Sequence, residues 1–403
     1  MKILQVDINN YRSCIQTRLS LPLNLMALIG ANGVGKSNIL YGLRLFTKMD
    51  RSRSFFSEEI KDGVLDELLN TQINLVLDFE DKTIFLRCKF YYETDERNID
   101  KVSHTEVKYR IQGENSKKYI NISSSIYQII DLLDDDRIAL KQLPKHFRTK
   151  EVQFQIRLIK SISNLSYYSA TQFSDPSKCP ISIELDDYRI SSRNLKGNKI
   201  HQQFIYDLYK AYKGASPNFQ LFLNTVGLNG LALIEDVNFS DHIIPSSSYK
   251  VKTGGKIQQI ENTKSIIIPS VKVDGLTLSP NQLSEGTFKT LALVFYILND
   301  RNQLLLIEEP EVCIHHGLLN SILQLIIQQS RHKQIIISTH SDYVLDMLRP
   351  ENILLVHKEY ETGTKVNSIS KSLSANDYKV LKEYLENEGN LGEYWKESGF
   401  DYE

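Results

Sequence analysis

The hydrophobic pattern changes period several times along the chain. "MKILQVDINNY" at the start alternates apolar and polar positions as a strand does, and "LNLMALIG" (23–30) is a near-continuous apolar run ending in glycine. Such a run fits a strand buried on both faces. After Ser37, "NILYGLRLF" takes helical spacing, with Ile39, Leu40, Leu43 and Leu45 turned inward. From Gln72 to about Ile122 the period falls to two. Ile73, Leu75, Leu77 and Phe79 share one face, Ile84, Leu86, Cys88 and Phe90 share the next, and Val107, Tyr109 and Ile111 follow, which predicts an antiparallel meander. Residues 124–162 return to helical spacing, and "LSYYSA" (165–170) reads as a strand. A helical hairpin is predicted over 198–228. Its first stripe is Ile200, Phe204, Leu208 and Tyr212; Gly214 stops that helix, Ser216 caps the next and Pro217 occupies its first turn. Each arm is short, about 20–25 Å at 1.5 Å per residue. Residues 303–340 restore the buried pattern with "QLLLIEEPE", "LLNSILQLII" and "QIIISTHS".

The pattern predicts an α/β protein with an antiparallel β lobe and a short helical insertion. The expected divisions are 1–185, an N-terminal lobe with the meander at about 72–122; 186–232, the helical insertion; and 233–403, a C-terminal lobe. The length of 403 residues allows a sizeable core. A formal net charge of −1 confines any nucleic-acid contact to a local patch. Two basic clusters are candidates: Lys141, Lys145, Arg148 and Lys150, and Arg189, Arg193, Lys196 and Lys199. The alternative for both is a solvated face. Cys14, Cys88, Cys179 and Cys313 are far apart, which argues against a zinc ribbon or a disulfide framework and fits a reducing cytoplasm. No apolar run is long enough to span a bilayer and the N-terminus lacks a signal-peptide core, so no direct membrane insertion is expected.

Four stretches carry chemistry. Gly30-Ala31-Asn32-Gly33-Val34-Gly35-Lys36-Ser37 satisfies G-x-x-x-x-G-K-[ST] between a strand and a helix. Glycines let consecutive N–H groups curl around phosphate oxygens, and the helix N-terminus adds partial positive charge. Lys36 then reaches the β and γ phosphates of ATP, the Ser37 hydroxyl helps hold Mg²⁺, and Asn32, Gly33, Gly35 and Asn38 complete the nucleotide contacts. "LLLIEEPE" carries Glu308 and Glu309 to the end of a buried strand. Glu308 is the candidate for the Mg²⁺ shell, and Glu309 for orienting or deprotonating the attacking water. In "LSEGT" (283–287), Ser284 opens an apolar helix with Gly286 two residues on, which makes a second anion site or an ordinary helix cap. In "STHS" (338–341), His340 follows a buried strand, where a neutral imidazole can contact a γ-phosphate.

Phosphate loop, meander, helical insertion, "LSEGT", "IEEPE" and "STHS", in this order, resemble the ABC-type ATPases of the SMC/RecF/OLD superfamily along essentially the whole chain. "LSEGT" is similar to their signature motif, "LLLIEEPE" to their Walker B and His340 to their switch histidine. The opening "INNYRS" is similar to the family's start and implies that Arg12 lies beside the nucleotide. "SYYSATQFSDP" offers Gln172 as the Q-loop residue. His316 stands where the family usually has proline, which bears on the dimer contact implied for His315. About 60 residues follow His340, too few for the Toprim domain of OLD nucleases, and the 198–228 hairpin is a stub beside SMC coiled coils. What remains resembles the stand-alone ATPases of anti-phage systems of the Septu, retron-associated or PARIS type.

The resemblance implies a P-loop ABC-type ATPase head that hydrolyses ATP with Mg²⁺. It implies a homodimer or higher homo-oligomer, in which Ser284 and Gly286 complete the partner's site. It implies control of a separate effector, a nuclease or toxin, in phage defence. The acidic run Asp131, Asp134, Asp135 and Asp136 has no histidine at ligand spacing and reads as solvated surface, so no nuclease activity is expected of the chain itself. The alternatives are a RecF-like DNA-repair ATPase and, from another class, a transporter ATPase subunit.

Overall fold

Three runs with no polar alternation form the centre of the fold. "LMALI", "LLLIE" and "QIIIST" are buried at every position and become three neighbouring parallel strands. Burial on both faces is what removes the alternation. The computed structural model of the chain describes residues 1–48, 71–92, 102–113, 118–134, 143–185, 200–251, 257–298, 303–312, 314–387 and 389–398.

The chain begins with β1 (Lys2–Tyr11), β2 (Cys14–Ser20), β3 (Leu25–Ile29) and α1 (Lys36–Arg44). Next come β4 (Gln72–Phe79), β5 (Lys82–Tyr92), β6 (Val102–Ile111), β7 (Ile120–Asn121), α2 (Ser124–Asp134), α3 (Lys150–Ser163) and β8 (Leu165–Ser169). The middle holds β9 (Ile183–Glu184), α4 (Ile200–Lys213), α5 (Pro217–Val226), β10 (Asp236–Val251), β11 (Ile257–Val273), β12 (Leu276–Leu278) and α6 (Glu285–Leu298). The last part runs β13 (Leu304–Glu308), α7 (His316–Gln329), β14 (Gln334–Thr339), α8 (Asp342–Asp346), β15 (Ile353–Glu359), β16 (Gly363–Ser368), α9 (Ile369–Ser372), α10 (Ala375–Glu386) and α11 (Leu391–Ser398). Two compact units result. The first comprises Met1–Tyr168, Arg301–Glu311 and Leu323–Glu403, and the second Ser169–Asp300 and Val312–Ile322.

In the first unit the parallel strands lie in a six-stranded sheet ordered β16-β15-β3-β14-β13-β8. The predicted meander is present as β4 to β7, and β1 and β2 extend it to the antiparallel sheet β2-β1-β4-β5-β6-β7. Its inward face carries Ile73, Leu75, Leu77, Ile84, Leu86 and Cys88, all buried, as the period of two requires. A single side chain stitches β14 to β1. Gln334 is buried, accepts from the Ile3 N–H at 2.9 Å and donates to the Ile3 carbonyl at 2.8 Å.

The second unit contains the predicted hairpin as α4 and α5. The Ser216 side chain accepts from the Asn218 N–H at 3.3 Å, Pro217 opens α5 and Gly227 ends it. Phe204, Phe288, Phe295 and Phe222 pack edge to face, with ring centroids 5.7–5.8 Å apart. Edge-to-face contact suits the aromatic quadrupoles. The unit also holds a long ribbon, β10 paired with β11 from Asp236↔Lys272 to Val251↔Ile257, which the sequence pattern did not predict.

Replacing Gln334 by leucine keeps the volume but leaves the Ile3 N–H and carbonyl buried and unpaired. The expected outcome is a loss of about 2–4 kcal/mol, the scale for two such groups. It is measured as the shift of the urea midpoint at unchanged slope.

Candidate functional site

Three strand ends meet along one edge of the parallel sheet. Glu308 of β13 is level with Ser338 of β14, which is level with Leu28 of β3. The residues after these strands therefore share one rim, the usual place for a ligand on a parallel sheet.

The loop after β3 bends through left-handed glycines, Gly33 at φ +83° and Gly35 at φ +106°. A Cβ on Gly35 would lie 2.1 Å from the Thr364 hydroxyl oxygen, whereas beside Gly33 nothing lies within 4 Å. Gly35 is the cap residue of α1 and brings no side-chain hydrogen bond to the first turn. Those N–H groups remain donors for an anion. The loop is braced from behind. The Thr364 hydroxyl lies 2.8 Å from both the Ser13 hydroxyl and the Val34 carbonyl, and Asn38 donates to Ser13 at 2.7 Å. Arg12 donates to the Asn38 side-chain oxygen at 3.4 Å, and its guanidinium lies 5.0 Å from the Tyr41 ring centroid. Arg12 is thus brought to the loop helix. Asn32 is exposed on the loop, and Ser37 is half-buried in the first turn of α1.

Lys36 is buried at 6% exposure, and its ammonium donates to the Gly30 and Ala31 carbonyls at 2.8 and 3.0 Å. Burial lowers its pKa; the carboxylates of Glu309, Glu311 and Glu308 act against that. The Glu308 side chain accepts from the Tyr167 hydroxyl. Burial, followed by the Glu308 charge, raises the pKa of Tyr167, so this hydroxyl stays a donor. Glu309 adopts φ +48°, and its N–H donates to the Ser338 carbonyl at 2.8 Å. The exposed His340 places Nδ1 3.4 Å from Glu309 and 3.6 Å from Glu311. Glu311 accepts from the Thr339 hydroxyl at 2.6 Å and from the His340 N–H at 3.3 Å, and burial raises its pKa.

Arg12, Lys36, Ser37, Asn38, Glu308, Glu309 and His340 therefore belong to one unit and one rim. Gln172, in the short turn Ala170–Phe173, and Ser284 and Gly286, at the start of α6, belong to the second unit. The exposed Ser284 accepts from the Thr287 N–H at 3.2 Å and so caps α6, while Gly286 is half-buried. His315 accepts from the Gly317 N–H at 3.3 Å, and His316 opens α7. Of the basic clusters, Lys145, Arg148 and Lys150 are described; Lys141, Arg189, Arg193, Lys196 and Lys199 lie outside the described residues, as do Asp135 and Asp136. Among the described residues no helix is long and apolar enough to cross a membrane.

Sequence reading missed Ser13, Tyr167, Glu311 and Thr364. Glu311 had a signal, as the second acid after the strand, in "EEPE". Thr364 had none, because only the fold brings it 330 positions back to Val34.

The rim suits a nucleotide triphosphate with Mg²⁺. One oxygen of Glu311, Oε2, is buried without a hydrogen-bond partner, and the space beside Gly33 is open. Hydroxyl and carboxylate oxygens are the donors that Mg²⁺ prefers.

Thr364→Val keeps the shape and removes the hydroxyl that braces the loop, and the pair is not isosteric in polarity. The expected outcome is a loss of about 1–3 kcal/mol in stability together with weaker nucleotide binding, checked by denaturation and by titration calorimetry.

The family model described as "AAA domain, putative AbiEii toxin, Type IV TA system" matches residues 25–346. No curated protein sequence matches the chain. Among solved structures, an Smc head bound to the C-terminal winged-helix domain of ScpA is 14% identical, with TM-score 0.46, covering 94% of this chain and 100% of that one. The SMC head domain from Thermotoga maritima is 12% identical, with TM-score 0.41, covering 92% and 99%. An Smc head with an extended coiled coil, bound to the C-terminal domain of ScpA and derived from Pyrococcus furiosus, is 13% identical, with TM-score 0.45, covering 95% and 99%.

Proposed function

The chain belongs to this AAA-domain family, and from that premise we propose that it is an ABC-type ATPase whose rim binds and hydrolyses ATP. The observation that carries the reading is the convergence of Lys36, Glu309 and His340 on one sheet edge, from three separate motifs, the first of which lies roughly 270–300 residues before the other two.

Lys36 now satisfies its ammonium with two loop carbonyls. Binding a triphosphate exchanges those neutral acceptors for charged phosphate oxygens, a stronger charge-assisted contact. The loop N–H groups and the α1 N-terminus take up the remaining phosphate charge, with Asn32, Gly33, Gly35, Asn38 and Arg12 lining the same approach. Ser37 and Glu308 would hold Mg²⁺, which neutralises charge on the β and γ phosphates when bound. Glu309 orients a water against the γ-phosphorus and takes its proton. The water oxygen bonds to phosphorus, the bridging bond to the β-phosphate breaks, and ADP leaves with that electron pair. Its left-handed backbone turns Glu309 off the strand axis, and Glu311 fixes His340 through the N–H and ring contacts. His340 then steadies the γ-phosphate.

Ser284, exposed, and Gly286, half-buried, lie at a helix start that suits an anion. We read Gln172 as a nucleotide-binding residue, and Ser284 and Gly286 as serving the site of a second copy. ATP would then join two copies, and hydrolysis would part them. The family description names a "putative AbiEii toxin" of a type IV TA system; a sensor or scaffold role over a separate effector in phage defence is the finer part of this proposal.

Glu309→Gln tests the chemistry. ATP binding should persist while turnover falls roughly 10²–10⁴-fold, the scale for a lost general base. Paired molecules should then accumulate with ATP and register as a doubled mass in light scattering. Unchanged turnover would move the base elsewhere.

A further inference from the structure

Glu308 is an unusual side chain to leave at a strand end. It is 7% exposed, and a glutamate has three torsions to fix. Among the described residues, one hydrogen bond reaches its side chain: the Tyr167 hydroxyl donates to Oε2. Tyr167 sits on β8, the strand next to β13, so the contact crosses between neighbouring strands.

The Tyr167 ring is itself held. Its centroid lies 5.7 Å from that of Tyr41, and the Arg44 guanidinium lies 4.8 Å from it. Tyr41 and Arg44 are three positions apart on α1 and so share a face of that helix. Arg12 stacks on Tyr41 at 5.0 Å. A ladder Arg12–Tyr41–Tyr167–Arg44 therefore runs from the loop to Glu308. The helix that begins with Lys36 and Ser37 fixes, through its own second and third turns, the carboxylate across the rim.

We propose that Tyr167 is a positioning residue for the metal: its hydroxyl holds Oε2 of Glu308 and thereby aims Oε1 at the Mg²⁺ that accompanies the nucleotide. This rests on the ATPase reading above. The division of labour follows from the contacts. One carboxylate oxygen is fixed by a neutral donor, the other is left for a cation, and outer partners of this kind commonly set metal affinity. Shortening the side chain by one methylene, as in Glu308→Asp, withdraws the carboxylate from the hydroxyl. The two residues should therefore act as a unit.

The test titrates MgCl₂ against a fluorescent ATP analogue on the full chain, for wild type, Tyr167→Phe, Glu308→Asp and the double variant. Melting temperature is recorded for each. Tyr167→Phe keeps the ring and should bind nucleotide in EDTA within about twofold of wild type. Its half-saturating Mg²⁺ concentration should rise roughly tenfold, at the lower end of the 10–100-fold typical of lost outer partners. Glu308→Asp should raise it as well, and the double variant should be little worse than the more affected single one, which is the signature of coupling. Arg44→Gln leaves the hydroxyl and loosens the ring, so a smaller shift in the same direction is expected even where Tyr167→Phe folds poorly. An unchanged Mg²⁺ midpoint in both variants, or effects that simply multiply in the double variant, overturns the positioning role while leaving the ATPase reading intact. Wild type that binds no nucleotide at any Mg²⁺ concentration overturns the ATPase reading, and this inference with it.

Discussion

The parallel register of β3, β14 and β13 is the constraint on which the rest depends. Because Leu28, Ser338 and Glu308 are level, the segments that leave these strands emerge side by side. A shift of one residue in any pair would turn Glu308 to the other face and break the rim. Continuous apolar runs specify this register only loosely, so other contacts fix it. Gln334 ties the start of β14 to Ile3, and Asn352 donates to the Leu25 carbonyl at 2.7 Å at the start of β3.

The rim gathers one buried cation and three carboxylates. Lys36 is buried against carbonyls, and three carboxylates lie close enough to oppose the lowering of its pKa. Buried charge of this kind destabilises unless paired, and perturbed groups gather where function needs them. In the proposed function, a triphosphate with its cation would add charges of both signs. In the second unit Ser284 caps α6, and its use as an anion site in a paired molecule belongs to the proposal.

Much of the fold was legible because its signals are local. The change from continuous apolar runs to a period of two separates the parallel strands from the meander, and Gly214, Ser216 and Pro217 punctuate the hairpin at the positions observed. The β10–β11 ribbon was not legible. Its central stretch "IIPSSSYKV" mixes proline and serines with few alternating apolar positions, so a turn-rich loop looks the same. In the rim, the glycines and Lys36, Glu308, Glu309 and His340 stand in motifs that sequence shows. Thr364, Ser13 and Tyr167 act through contacts made by tertiary pairing, where spacing in sequence says nothing. The same holds for the left-handed backbone of Glu309, a conformation unusual for a residue with a side chain.

The central claim is that this rim grips a nucleotide through Lys36. Equilibrium titration of ATP with Mg²⁺ into the wild-type chain and into Lys36→Ala tests it most directly, with circular dichroism to show that both are folded. The account predicts saturable one-site binding per chain in the wild type and its loss, or a weakening of at least about 100-fold from the missing charge-assisted contacts, in the variant. A folded Lys36→Ala protein that binds ATP as tightly as wild type would contradict it.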